Sequence, residues 1–310
     1  MTLAMVFPGQ GSQSVGMLKD LAAAFPLVHE VFGDASAQIG FDLWRMVSEG
    51  PASELDRTIN TQPAMLAAGY ACWRAWKAMG GSDPAMLAGH SLGEYTALVC
   101  AGVLKFTDAI RLVRERGRYM QEAVPAGEGA MAAILGLDDE QIVAVCANID
   151  GARVASAANF NAPGQVVISG HADTVQAAIE AAKQAGAKRA MLLPVSVPSH
   201  CRLMRPAAMR LSALLDEQEM QDAVIPIMQN ADSELRRNAI AIRHSLEEQL
   251  HQPVHWHRGI RRLVEAGVDR IIECGPGKVL SGLCKRISPE VMNQAVYDPQ
   301  SLKAALGEVN

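Results

Sequence analysis

The feature that most constrains the fold is a repeated succession of a short apolar run and a longer helical pattern. It occurs three times, with the run and the helical segment at 3–7 and 17–32, at 85–88 and 94–101, and at 270–273 and 279–287. Strands that alternate with helices in this way form a mostly parallel sheet covered by helices on both faces. The chain is therefore predicted to be an α/β protein.

The middle of the chain has a different order of elements. The patterns predict strand, helix, two strands, helix and strand, at 130–135, 139–147, 154–158, 166–169, 174–185 and 189–194. This βαββαβ order is ferredoxin-like, and Pro163-Gly164 supplies a turn between the two central strands. We predict a small subdomain at residues 125–198, inserted into a large catalytic subdomain formed by residues 1–124 and 199–310.

Composition and charge exclude several classes of function. The net charge of −5 leaves no basic excess for a nucleic-acid backbone, so nucleic acid is not an expected partner. The six cysteines are widely spaced and form no CxxC pair, which indicates reduced core residues rather than disulfides or a zinc site. With neither a signal-peptide pattern nor an apolar run of membrane-spanning length, we expect a cytoplasmic protein without membrane contact.

The pentad Gly-His-Ser-Leu-Gly at 89–93 lies between a predicted strand and a predicted helix. In a nucleophile elbow, glycines permit a tight turn that lifts the serine above the sheet, while the helix N-terminus favours developing negative charge. The pentad therefore predicts that Ser91 is a nucleophile. A chance GxSxG remains the alternative, because glycine and serine are common residues.

A serine hydroxyl needs a base, most often histidine, and eight histidines compete for this role. His90 adjoins the serine but points in another direction around the turn, so we expect it to shape the pocket. His200 lies where the chain returns from the inserted unit, at a junction where clefts form. From the residues alone, a catalytic and a structural His200 are equally compatible with this position.

A second cluster of histidines suggests a different chemistry. His251, His255 and His257 lie close together in the sequence, which raises the alternative of a metal site. Their spacing matches no usual zinc pattern, and no carboxylate lies between them. We expect no metal.

Seven motifs follow one another along the chain: FPGQGSQ at 7–13, TQPA at 61–64, GHSLGEY at 89–95, RG at 116–117, NFNAPGQ at 159–165, PSH at 198–200 and GPG at 275–277. In this order they resemble malonyl-CoA:acyl carrier protein transacylases of the bacterial fatty-acid type, over nearly the whole chain. The resemblance implies an α/β-hydrolase-like large subdomain with a ferredoxin-like insert. It also implies ping-pong transfer of malonyl from malonyl-CoA to holo acyl carrier protein. We expect a monomer that needs no cofactor.

The resemblance also implies roles for individual residues. Ser91 would attack the thioester, His200 would be the general base, and a carbonyl of Gln249 would orient that histidine. The main-chain N–H groups of Gln10 and Leu92 would form the oxyanion hole.

Arg116 is implied to select the acyl group, and a second set of polar residues is implied to lie near the cleft. A malonyl thioester carries a free carboxylate, and a guanidinium is a bidentate, permanently charged partner for it. The alternatives are that Arg116 lies on a solvated helix face with Arg111, Arg114 and Arg118, or that this run forms a basic patch for the acidic carrier. The polar positions near the cleft are Gln62, Asn159 and Asn161, although the asparagines could serve only the adjacent turn.

The rival prediction is a serine esterase or thioesterase of related fold. Such an enzyme usually carries an acid between the serine and the histidine. Asp138, Asp139, Asp150 and Asp173 lie in that interval, and all four fall in the predicted insert. This placement favours transfer over hydrolysis.

Overall fold

The structure is a computed structural model that describes residues 1–149, 153–195 and 197–307. Asp150 lies outside the described residues. The strands are β1 Leu3–Phe7, β2 Met86–Gly89, β3 Gly129–Leu135, β4 Ala155–Ala162, β5 Gln165–His171, β6 Arg189–Leu192, β7 Ile227–Met228, β8 Leu235–Arg236, β9 Arg270–Cys274 and β10 Met292–Val296.

Along the chain, the helices are α1 Lys19–Ala24, α2 Leu27–Ile39, α3 Leu43–Glu49, α4 Ala52–Leu55, α5 Thr58–Ala78, α6 Gly93–Cys100, α7 Phe106–Ala123, α8 Asp139–Ala147, α9 Ala172–Gln184, α10 Arg205–Asp216, α11 Ala239–Gln249, α12 Trp256–Glu265, α13 Val279–Ile287 and α14 Pro299–Gly307. A short 3₁₀ turn at Arg202–Met204 precedes α10.

The larger sheet has the strand order β10-β9-β1-β2-β7-β8. Adjacent strands are parallel from β10 through β7 in this order, and β8 pairs with β7 in the antiparallel direction. Strands β1 and β9 are buried along their whole length, as expected for the centre of a sheet with helices on both faces. The mixed α/β class is therefore confirmed. The carboxyl ends of the parallel strands meet at one edge, where ligands bind in open α/β sheets.

The smaller sheet is antiparallel, with the order β4-β5-β3-β6. Helices α8 and α9 lie against it and share a separate apolar core that includes Ile134, Ile168 and Ile179. Its elements follow one another as strand, helix, strand, strand, helix and strand, which is the order that the sequence predicted. The Pro163-Gly164 turn joins β4 to β5, and Gly164 has a φ of 69°.

The prediction of one helix over 17–32 is wrong. The structure has two helices, because the chain leaves the helical conformation at Phe25, whose φ and ψ are −131° and 101°. The next residue is Pro26, and a residue before proline is sterically disfavoured in the helical region. Helix α2 then continues past the predicted end, as far as Ile39.

Strand β4 also differs from its prediction, because it extends to Ala162 and so contains Asn159 and Asn161. Two register shifts interrupt its pairing with β5, one between Ala157 and Asn159 and one between Phe160 and Ala162. Bulges of this kind redirect side chains near functional sites. The two asparagines therefore lie within an irregular strand with their side chains buried, in addition to preceding the turn.

Two further expectations concern side chains and membranes. All six cysteines are free and buried, which confirms that they are core residues. Within the described part of the chain, none of the helices combines the length and the apolar character needed to cross a bilayer.

Candidate active site

The turn after β2 is built around close contacts between main chains. Ser91 has a φ of 51°, a conformation that costs free energy for a residue with a side chain. A Cβ at Gly93 would lie 2.0 Å from the carbonyl oxygen of Phe7, and a Cβ at Gly9 would lie 2.3 Å from that of His90. Only glycine allows these approaches, so the elbow and the loop after β1 are pressed together.

Ser91 and His200 are in direct hydrogen-bond contact. The Ser91 Oγ lies 2.7 Å from His200 Nε2, and His200 Nδ1 lies 2.8 Å from the main-chain carbonyl oxygen of Gln249. Because a carbonyl can only accept, Nδ1 carries a proton, and Nε2 is left free to accept the proton of the serine. The carbonyl at Gln249 is thus the main-chain one, and the side-chain amide makes other contacts.

The charge state of His200 follows from its surroundings. Its side chain is buried, and burial together with the neighbouring charge of Arg116 lowers its pKa to about 3. The imidazole is therefore neutral at pH 7, which is the form that a general base requires.

Arg116 is buried beside the serine, with only 1% of its surface exposed. Its Nη2 lies 3.3 Å from Ser91 Oγ and 3.1 Å from Gln249 Oε1, and its Nη1 lies 2.9 Å from Gln62 Oε1. Burial lowers its pKa, but an arginine stays charged at neutral pH. The solvated-face alternative is wrong for this residue.

The other arginines of α7 do not join Arg116 in one basic patch. Arg111 pairs with Asp108, and Arg118 pairs with Glu115 and Glu122 on the same helix. Arg114 donates to the main-chain carbonyl oxygen of Ile39. The helix thus carries one buried cation aimed at the site and three arginines that are bound elsewhere.

The loop after β1 brings Gln10 next to the elbow. Gly9 lies so close to the elbow that a Cβ added to it would be 3.7 Å from the main-chain nitrogen of Leu92. Among the described residues, the main-chain N–H groups of Gln10 and Leu92 have no hydrogen-bond acceptor. Both donors are therefore available to a ligand, and Leu92 stands at the start of helix α6.

A cavity of 290 Å³ lies between the two sheets and opens onto Ser91. Its polar end is formed by Gln10 and His90, from the loops after β1 and β2, and by Arg116 of helix α7. Met131 and Val167 of the smaller sheet supply apolar wall. The walls also include Asn159, Asn161, Leu193, Val195 and Val197. A serine hydroxyl, a neutral imidazole, a guanidinium and two N–H donors thus converge on one cleft, and these are the kinds of group that acyl transfer requires.

Comparison with known proteins gives the same result. The family model described as "Acyl transferase domain" matches residues 4–296. The chain belongs to the acyl transferase family. It is 53% identical over 303 residues to the malonyl CoA-acyl carrier protein transacylase of Escherichia coli K12, with 98% of each chain covered. The relative from Bacillus subtilis with the same name is 45% identical and covers 98% of this chain and 96% of its own.

Solved structures of acyl transferases superpose closely on this chain. An acyl carrier protein S-malonyltransferase from Vibrio cholerae has a TM-score of 0.96 at 51% identity, with 98% of this chain and all of the other covered. A malonyl-transacylase in complex with its type II polyketide synthase acyl carrier protein has a TM-score of 0.98 at 52% identity, with 99% and 100% covered. The resemblance inferred from the seven motifs is confirmed.

Polar residues implied by the family resemblance occupy definite places in this acyl transferase. Gln62 is buried, accepts from Arg116 and donates to the sulfur of Met120 at 3.3 Å. Asn161 Oδ1 lies 2.8 Å from His90 Nε2, so His90 helps to fix the cavity wall instead of touching the serine. Asn159 lines the same cavity.

The two alternatives, a metal site at the histidine cluster and a catalytic aspartate, have no supporting contacts among the described residues. His257 pairs with Asp139 at 3.3 Å and His255 stacks on Phe160, and no group of three potential metal ligands occurs among the residues described. Asp138 caps helix α8, and Asp173 pairs with Arg153. None of these aspartates has a hydrogen bond to His200 within the described chain.

Sequence reasoning missed two residues of the acyl transferase site. Asn230 binds both sides of the elbow, because its Oδ1 accepts from Ser91 N at 2.7 Å and its Nδ2 donates to Gly89 O at 2.7 Å. Glu94 is completely buried and accepts from Asn230 N and Gln249 Nε2. A charged residue at the head of a mostly apolar helix was the available signal for Glu94, and a pair of polar residues after β7, of which Asn230 is the second, was the signal for Asn230.

Proposed function

We propose that this protein transfers malonyl groups from malonyl-CoA to the pantetheine thiol of holo acyl carrier protein through a malonyl-Ser91 intermediate. Arg116 carries the proposal, since its buried guanidinium lies 3.3 Å from the nucleophilic oxygen. A buried cation there stabilises an acyl group with a free carboxylate and offers nothing to acetyl. The names of the relatives, and the complex of one neighbour with a carrier protein, support the same substrates.

Acylation uses the contacts that are already formed. His200 Nε2 removes the proton of Ser91 Oγ while that oxygen attacks the thioester carbonyl, and the main-chain carbonyl of Gln249 stabilises the resulting imidazolium. The N–H groups of Gln10 and Leu92 stabilise the oxyanion. The tetrahedral intermediate then expels the thiolate of coenzyme A, which takes up the proton from His200.

The substrate carboxylate also has an effect on the base. In the free protein, the charge of Arg116 helps to lower the pKa of His200. A malonyl carboxylate paired with Arg116 neutralises part of this field, so His200 becomes a better base when the correct acyl group is bound. Selection of the diacid and activation of the serine are thereby coupled.

The second half-reaction reverses these steps with a different thiol. The pantetheine thiol of the carrier gives its proton to His200, attacks the malonyl-Ser91 ester, and leaves as the malonyl thioester while Ser91 regains its proton. Pantetheine is common to coenzyme A and the carrier, so one cleft with apolar walls serves both substrates.

The wider organisation is part of the same proposal. We infer that residues 125–198 form a ferredoxin-like subdomain and that residues 1–124 and 199–310 form an α/β-hydrolase-like one. The separate core of the smaller sheet supports this division. A monomer in the cytoplasm that needs no cofactor stays a prediction.

The alternative is a serine thioesterase of related fold, and one experiment distinguishes the two. The protein is mixed with malonyl-CoA and either holo or apo acyl carrier protein, and the carrier is analysed by mass spectrometry. We expect malonyl only on the holo carrier, at a rate far above the release of free malonate. Malonate release without malonyl-carrier would establish a hydrolase and refute transfer.

A further inference from the structure

Glu94 is a buried carboxyl group that the proposed chemistry does not use. One of its oxygens, Oε2, lies 2.9 Å from Gln249 Nε2 and 3.1 Å from the main-chain nitrogen of Asn230. Its other oxygen has no hydrogen-bond partner among the described residues. A single oxygen therefore joins the end of helix α11 to the loop after β7.

Both groups that Glu94 binds also hold the nucleophile. Asn230 bridges the two sides of the elbow through its side chain, and Gln249 Nε2 donates to the carbonyl oxygen of Ser91 at 2.9 Å. The main chain around Ser91 is thus held at its N–H and at its carbonyl by two residues that share Glu94. This support matters because Ser91 has a φ of 51°, which the surrounding structure must maintain.

Gln249 also contacts Arg116 and His200. Gln249 Oε1 accepts from Arg116 Nη2, and the main-chain carbonyl of Gln249 accepts from His200. A displacement of Gln249 would move three parts of the site together. Glu94 is the residue that fixes the amide of Gln249 from the side opposite Arg116.

We propose that Glu94 is a positioning residue that holds Gln249 and Asn230, and through them sets the geometry of Ser91, His200 and Arg116. The inference rests on the proposed malonyl transfer. Burial raises the pKa of Glu94 to about 8. The role requires a hydrogen-bond acceptor at the position of Oε2, and glutamine would supply one of equal size.

The test compares Glu94→Ala and Glu94→Gln with the wild-type protein. Intact mass spectrometry counts the sites that malonyl-CoA acylates, and rapid-quench acylation rates are expressed per acylated site, so that unfolded protein does not contribute. For Glu94→Ala we expect an acylation rate lower by about 100-fold, the typical effect of an ~1 Å misplacement of reacting groups. We also expect a smaller preference for malonyl-CoA over acetyl-CoA, because Arg116 loses its support. Glu94→Gln restores the rate to within about threefold of the wild type, since its carbonyl replaces Oε2.

Thr96→Val is the matched control, because Thr96 is buried on the same helix and its hydroxyl has no hydrogen-bond partner in the described chain. We expect a wild-type rate and a wild-type preference. An alanine variant with a normal rate and preference would overturn the positioning role, as would a glutamine variant as slow as the alanine variant. Absence of acylation in the wild-type protein would instead refute the proposed function.

Discussion

Replacing Arg116 with alanine should change which acyl group the protein accepts. In the free protein, the guanidinium is buried and binds Ser91 Oγ, Gln62 and Gln249. The variant loses the partner of the malonyl carboxylate, whereas acetyl has no carboxylate to lose. General damage to the site lowers kcat/KM for both malonyl-CoA and acetyl-CoA. The ratio of these two values therefore measures the loss of the ion pair alone.

The size of this effect follows from the burial of the pair. Removing one partner of a buried ion pair costs about 3–5 kcal/mol, because the other charge is left without compensation. At ~1.36 kcal/mol for each factor of ten, the preference for malonyl-CoA over acetyl-CoA falls by about 10² to 10⁴.

The assay measures kcat/KM for acylation of Ser91 by malonyl-CoA and by acetyl-CoA, in the wild type and in Arg116→Ala. Arg118→Ala is the matched control, because Arg118 lies on the same helix but pairs with Glu115 and Glu122 at the surface. The control should keep the wild-type preference. If Arg116→Ala changes the preference by less than about tenfold, the carboxylate is bound elsewhere and the role given to Arg116 is wrong.

Three further predictions test the elbow and the base. Because burial lowers the pKa of His200 to about 3, kcat/KM for malonyl-CoA should stay level from pH 7 to pH 5, and a decline centred near pH 6.5 in the pH–rate profile would contradict this. Asn230→Asp places a carboxylate oxygen against the carbonyl of Gly89, so urea unfolding should show a loss of about 1–3 kcal/mol, and an unchanged midpoint would refute the clamp. Gly93→Ala forces a Cβ to within 2.0 Å of the Phe7 carbonyl, so stability should fall by at least ~1–3 kcal/mol, and a variant with wild-type stability and acylation would disprove the tight approach.

Local patterns in the sequence were sufficient for the elements whose cause is local. Strands β1 and β9 are short apolar runs, and the helices after them have a clear period, so both were predictable. The break at Phe25 was predictable too, since Pro26 follows it, but the apolar period on both sides concealed it. Strand β7 has only two residues, which is too few to produce a period.

The residues of the site also differ in how far the sequence predicts them. Ser91 was predictable because strand, turn and helix around it are contiguous in the sequence. The burial of Arg116 depends on Gln62 and Gln249, which lie 54 and 133 positions away along the chain. Asn230 is 139 positions from the main-chain N–H that it binds. Contacts of this range are created by the packing of helices and the order of strands in the fold, so only the family resemblance could supply Arg116, and Asn230 was missed.

The central claim is that Ser91 carries malonyl between two thiols, and the malonyl-protein adduct tests it most directly. The protein is acylated with malonyl-CoA, freed from coenzyme A, and divided between buffer and holo acyl carrier protein, while intact mass is followed over time. We predict one malonyl group per chain, absent in Ser91→Ala, that persists in buffer and moves to the holo carrier. An adduct that forms on Ser91→Ala, or that water removes as fast as the carrier does, would contradict the account.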